Sequence, residues 1–578
     1  MALAAILGLS LVGCAGIGET TPVQQGLDVG GADVPRVRVF FPGPVNGTPP
    51  EQIIRGFVSA GAASDGDYDT ARSFLTPDAA KAWSPDGEIL VFSKEGELAV
   101  SAVDDATWRV TVPVIARISA EGRYTAAQPD ETVEATFSFA RIDQEWRIAS
   151  LPDGFSRWLA AANVRRLVQP YAVHYVASDR RLLVQDVRWF PLDHLTSRLA
   201  RAQLAPVPAD LVGVATTAVP AGTRITAESV SVQSGVATVE LSARPPTDQT
   251  LRLNLWGQFV ATLTQDPAVV GVRLQVDGAP IDFPGSTGPV SDPAQAGFAA
   301  PPTTGGQVHV RRGDRLWVLD PEAPAADTES NREAAAAEDL PAIGQGWTGV
   351  AMSIDGRELA AVTQDGSGLS RWRGDQRYDL APMGASLAHP TFDSRGYLWT
   401  ATGTGDPGGT PLRAVALAQP PASAEVHSVG ASWLVGLGVQ ALRVSPDGER
   451  VAVLAAAPGQ APRLFVAGIV RGAGAVPTRL ADPVELGAAV GSKQGLVWLG
   501  PTGLATLATP DGGATRPVIL SLDGTWTALT DTPEAVALTT PDNERNLIVL
   551  DRSGRVTVRA GQLWLGAGEG IDLVIPGR

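Results

Sequence analysis

Cys14 is the only cysteine in 578 residues, which excludes an internal disulfide framework and a multi-cysteine zinc site. Histidine is also scarce, with five in the chain and none before His174. His174 and His194 sit among aromatic and apolar neighbours without the i, i+4 spacing of a helical metal pair, so packing is their expected role. Asp65-Gly-Asp67-Tyr-Asp69 alternates oxygens as a calcium loop does. Its sixth position is Thr70 rather than Gly and its twelfth is Thr76 rather than Glu, so the acids are read as a helix start. Gly403-Thr-Gly-Asp-Pro-Gly408 fits G-x-G-x-x-G, but Pro407 and the Gly-Gly-Thr-Pro411 that follows bar the helix a dinucleotide site requires. No nucleophile elbow, H-E-x-x-H or Walker A run occurs. No catalytic, cofactor-binding or metal-ligating residue is assigned, and no cofactor is expected.

For Cys14 two readings stand, a buried residue of an apolar N-terminal strand and a site of modification, and the segment around it favours the second. Ala2 to Val12 is an apolar run too short to span a bilayer but of the length of a secretory signal core. Leu11-Val12-Gly13-Cys14 resembles the bacterial lipobox. The resemblance implies a diacylglyceryl thioether on the Cys14 thiol, cleavage after Gly13, and an extracytoplasmic, lipid-anchored chain. Met1-Ala-Leu-Ala-Ala lacks the positive charge that opens such signals, so the true start is expected upstream. The net charge of −16 argues against a nucleic-acid partner. All but three basic residues are arginine, and their scatter is attributed to GC-rich coding rather than chemistry.

The elements that follow form several units. A signal peptide (1–13) and a Gly/Thr/Gln-rich tether (14–35) precede a first α+β region over 36–152. Thr48-Pro-Pro-Glu51 predicts a capping box ahead of a helix whose apolar stripe is Ile53, Ile54, Phe57 and Val58. Alternating runs at Trp108–Ile115, Thr132–Phe139 and Gln144–Ala149 predict an antiparallel sheet. This element order is similar to a nuclear-transport-factor-like cone, used as ligand pocket or spacer; spacer is expected. Over 153–285, a hairpin turns at Ser234-Gly235. An amphipathic helix then carries Leu251, Leu255, Phe259 and Leu263, and a strand returns to Asp277-Gly278. This span resembles the GerM-type sporulation and germination domain, which implies a protein- or envelope-binding module without catalytic residues.

A linker is expected over 286–300, and a repeat of turn plus short apolar strand over 301–578. Its strands start at Leu316, Leu359, Leu398, Val451, Val497 and Leu547, spaced 43, 39, 53, 46 and 50 residues apart. Pro, Asp and Gly supply the turns, and a 40–50-residue period predicts a β-propeller of about six blades. The tail at Gly561–Leu565 is expected to complete a blade near the N-terminal edge. Ser521-Leu-Asp-Gly-Thr-Trp526 resembles a sialidase Asp-box without its two spacer residues, and is read as structural. The fold class is therefore multidomain: α+β N-terminal domains followed by an all-β propeller.

Lipobox, cone-like region, GerM-type region and propeller, in that order, resemble the actinobacterial lipoprotein LpqB family over nearly the whole chain. The resemblance implies a non-enzymatic accessory protein of the MtrA–MtrB two-component system. Its partner would be the extracellular part of the sensor histidine kinase MtrB, and its effect would fall on envelope homeostasis. Two alternatives remain at this point. One is a propeller glycosidase acting on envelope polysaccharide, which needs paired carboxylates about 5–9.5 Å apart. The other is a passive scaffold for envelope assembly.

Overall fold

The structure, a computed structural model, describes residues 41–578 apart from 64–66, 129, 228, 285–287, 303–304, 322–335, 338, 404–410, 489–491 and 510–512. Cys14, the tether, the start of the acidic Asp65 motif and most of the Gly403–Gly408 loop lie outside the described residues.

The first helix, Pro50–Ala60, buries the expected stripe of Ile53, Ile54, Phe57 and Val58. The expected capping box does not form. Thr48 Oγ1 donates back to Val45 O, and Glu51 pairs with Arg55 one turn on, at 3.0 Å. The Gly47 amide donates to Glu145 Oε2 at 2.7 Å, so a contact from the sheet places the chain ahead of the helix. A sheet of order Glu145–Ser150, Thr132–Ile142, Thr107–Ile118, Ile89–Phe92, Arg157–Ala160 packs beneath. Its long Thr107–Ile118 strand alternates, burying Val110, Val112, Val114, Ala116 and Ile118. Arg157–Ala160 pairs parallel to Ile89–Phe92, so this sheet continues past residue 152.

The middle region opens with a hairpin, Val168–Ala177 against Leu183–Pro191. The strand Val236–Leu241 runs parallel to Gly271–Val276, and the crossover is the helix Gln249–Leu263. Asp248 caps that helix by accepting from the Leu251 amide at 2.8 Å. Leu255, Phe259 and Leu263 are buried as expected, whereas Leu251 in the first turn is exposed. Residues 286–300, expected as a linker, carry structure of their own. Asp292 and Gln295 form a capping box over Pro293–Ala296, and Phe298 seats on the helix at Gly257. A Cβ at Gly257 would lie 2.1 Å from the Phe298 ring, so only glycine fits.

From Val308 onward six antiparallel sheets form a propeller. Five blades begin on the inner strands Trp347–Met352, Thr391–Phe392, Gly438–Val444, Leu496–Trp498 and Ala535–Thr539. The sixth takes its inner strand from the C-terminus: Asp572–Val574 pairs with Val308–Arg312, which pairs with Arg315–Leu319. The inner strands contact one another in sequence around the ring, and Asp572–Val574 meets Trp347–Met352 to close it. The closing strand is thus not Gly561–Leu565. Leu563–Glu569 is instead the outermost strand of the fifth blade.

Candidate functional site

The histidines singled out by sequence are not brought together. His174 is buried and His194 is exposed at the start of the Leu195–Ala202 helix. His174 belongs to a polar network joining the hairpin to the long helix. Its Nδ1 lies 3.1 Å from Thr262 Oγ1, and its carbonyl accepts from Gln203 and Gln258, both at 2.9 Å. Burial pushes this imidazole down to about 4. Because that lies below the unfolded value of 6.5, stability from this site is complete above about pH 6.5 and lost as pH falls toward 4. Between pH 6.5 and 5 the loss from this group is about 2 kcal/mol. His174→Gln should therefore show a shallower fall in urea midpoint over that range. His389 and His309, also lowered by burial, leave a residual slope in the same direction. An unchanged slope in the variant would contradict this.

Polar contacts fasten the three regions together, and most come from arginine. Asp186 in the hairpin accepts from Arg123 of the first region at 2.8 Å and from Arg188 at 2.7 Å. The hairpin tip reaches the propeller through Arg180, which pairs with Glu449 at 2.9 Å and also donates to Asp447 O. Asp179 pairs with Arg395 beside it. The receiving turn is Ser445-Pro-Asp-Gly-Glu-Arg450, one of the repeat turns recognised in sequence. A second docking point is the near-Asp-box turn. Asp523 O accepts from Trp189 Nε1 at 3.0 Å, and Gly524 closes against Tyr124. The arginine excess attributed to coding bias thus does structural chemistry at these interfaces.

At the propeller axis the inner strands leave a small cavity, open to solvent and lined among others by Gly349, His389, Arg443, Gln494 and Arg578. Gly349 has φ +66° at a bulge in its strand, and a Cβ there would lie 2.2 Å from the His389 ring. That close approach lets the imidazole occupy the wall. Burial, with the charges of Arg443 and Lys493, pushes His389 down to about 3, so it is neutral at physiological pH. Burial alone brings the Arg443 guanidinium down to about 10. Asp572, on the innermost strand of the closing blade, is bound on both oxygens. Oδ2 accepts from Arg311 at 2.7 Å, while Oδ1 accepts from Gln494 at 2.8 Å and from the Gly349 amide at 3.2 Å. No group of three or more His, Cys, Asp or Glu side chains able to hold a metal occurs among the described residues. Sequence reasoning missed this cavity because its members come from separate blades.

Residues 43–165 match the model of the lipoprotein LpqB N-terminal domain, and 172–282 match that of the sporulation and spore germination domain. Residues 308–573 match that of the lipoprotein LpqB beta-propeller domain. The chain belongs to the LpqB lipoprotein family. It is 27% identical to lipoprotein LpqB of Thermobifida fusca, over 99% of this chain and 98% of that relative. Identity to lipoprotein LpqB of Cutibacterium acnes is 25%, over 94% of this chain and 93% of the other. Among solved structures, TolB from Acinetobacter baumannii is 13% identical with a TM-score of 0.33, covering 59% of this chain and 75% of that one. In this LpqB-family chain both the axial cavity and the Arg180–Glu449 junction draw on the matched propeller. Among the described residues no helix is long and apolar enough to cross a membrane.

Proposed function

We propose that the chain is an extracytoplasmic protein anchored through a diacylglyceryl group on Cys14. In this reading it is a non-enzymatic accessory regulator of the MtrA–MtrB system, acting by contact with the extracellular part of MtrB and affecting envelope homeostasis. The observation that carries this reading is the match, in order, of the LpqB N-terminal, sporulation and spore germination, and LpqB beta-propeller models behind a lipobox-like Leu-Val-Gly-Cys14. Regulation requires that the chain bind one state of the kinase better than another, since only differential affinity shifts an equilibrium. The junctions described above support this, because fastened domains present their faces in a fixed relation and deliver binding energy without first ordering a hinge.

The glycosidase alternative asks for two or three close carboxylates in the channel. The described cavity adjoins one, Asp572, and both its oxygens are committed. The observations favour the binding reading.

One experiment tests anchor and partner together. In cells, the full chain should fractionate with membranes and the Cys14→Ser chain with soluble protein. The chain from residue 15 onward should be retained on immobilised MtrB extracellular domain above an unrelated lipoprotein. Retention equal to that control sinks the regulatory reading in favour of a passive scaffold. Membrane retention of Cys14→Ser sinks the lipid anchor.

A further inference from the structure

The axial cavity holds two polar groups whose chemistry is incomplete. The only hydrogen bond made by the Arg443 side chain among the described residues runs from Nη1 to Leu442 O at 2.7 Å, and no carboxylate pairs with it. Three buried guanidiniums of the propeller are matched by acids, Arg311 by Asp572, Arg371 by Glu358 and Arg471 by Asp393, and buried Arg450 reaches the carbonyl of Gln185, whereas half-buried Arg443 reaches only the carbonyl next to it. His389 is 7% exposed, and its Nδ1 is buried with no hydrogen-bond partner. Buried polar groups are almost always paired, because an unpaired one forfeits its hydration without return. Both side chains line the same cavity, with Gln494 and Arg578. The exposed Lys493 adds a further positive charge close enough to act on His389.

We propose that this cavity binds a small oxyanion, a phosphate or carboxylate group, held by the Arg443 guanidinium and the His389 imidazole. A water molecule would satisfy the histidine but leave the half-buried arginine charge without a counterion. An oxyanion meets both needs. The planar guanidinium offers paired N–H groups at the spacing of two oxygens, and a neutral imidazole donates one N–H. Asp572 does not compete, because Arg311, Gln494 and Gly349 already occupy it. The site is independent of the kinase contact proposed above and would make the propeller responsive to a small anion.

The test is a titration of the chain from residue 15 onward, ¹⁵N-labelled at histidine, with inorganic phosphate and, separately, sodium acetate. Ionic strength is held constant with sodium chloride. The His389 ring resonances should move saturably with at least one probe, and which probe saturates distinguishes phosphate from carboxylate. Arg443→Gln should weaken that probe about tenfold or more, the scale of a lost charge-assisted pair of hydrogen bonds. Lys493→Gln, at an exposed position where folding is not at risk, should weaken it by about two- to threefold through charge alone. Absence of saturable movement with either probe overturns the proposal. So does the same midpoint concentration in the parent chain and in both variants.

Discussion

Asp572→Ala should destabilise the propeller by about 3–5 kcal/mol, the scale of stripping one partner from a buried ion pair. The side chains of Arg311 and Asp572 are 3% and 1% exposed, and their Nε–Oδ2 distance is 2.7 Å. Burial pushes the Asp572 carboxyl up, and the Arg311 guanidinium beside it works in the opposite direction. Loss of the carboxylate leaves that guanidinium with backbone carbonyls only, the nearest being Trp347 O at 2.7 Å. It also releases the Gly349 amide of the first blade and the Gln494 amide, both of which converge on Asp572 Oδ1. Because Asp572 lies on the strand that closes the ring, its loss acts on blades that are far apart in sequence. Denaturant unfolding followed by tryptophan fluorescence measures the effect. Ile571→Ala, at an exposed neighbouring position, serves as a control expected to stay within about 0.5 kcal/mol. A loss below about 1 kcal/mol for Asp572→Ala would mean that this pair does not hold the closure.

That closure shows where sequence reasoning stops. The Pro-Asp-Gly turns and apolar runs were legible because each is a local statement about φ and packing. They mark hairpins, however, without saying which hairpin of a blade they mark. Leu359, Leu398, Val451 and Leu547 fall in or next to second strands, as an even period requires. Val497 lies on an innermost strand, and Leu316 on the third strand of the closing blade. This difference of strand contributes to the uneven spacing. Asp572–Val574 has three residues and no alternation to detect, and ring closure is a tertiary fact. The Thr48–Glu51 box failed for the opposite reason: a valid local rule lost to a contact from Glu145, almost a hundred residues away. The axial cavity was illegible because Arg443, His389 and Gln494 are ordinary residues until three blades set them around one space. The arginines were misjudged on similar grounds, since scatter along the chain says nothing of pairing in space. Arg180, Arg188, Arg311 and Arg371 each find a buried or half-buried carboxylate.

Arg180→Ala should uncouple the middle region from the propeller at a cost of about 3–5 kcal/mol at pH 7.5, and Glu449→Gln in the same chain should recover most of it. The Glu449 side chain is 2% exposed, and Arg180 meets it with Nε at 3.0 Å and Nη2 at 2.9 Å. Burial pushes the Glu449 carboxyl up, and Arg180 is the nearest influence holding it down. Without the guanidinium the carboxylate is stranded between two domains, and its folded-state pKa rises further above the unfolded one. The folded protein then binds a proton that the unfolded chain does not. The penalty is therefore smallest below the unfolded pKa of an ordinary glutamate and grows as pH rises through the folded one. Calorimetry should show the middle region and propeller melting together in the parent chain and separately in Arg180→Ala at pH 7.5, with the two transitions approaching each other at pH 5. Glu449→Gln removes the charge while keeping its volume, so the double variant should lose this pH dependence. If Arg180→Ala costs the same at both pH values, or if Glu449→Gln restores nothing, then packing rather than this ion pair joins the two domains.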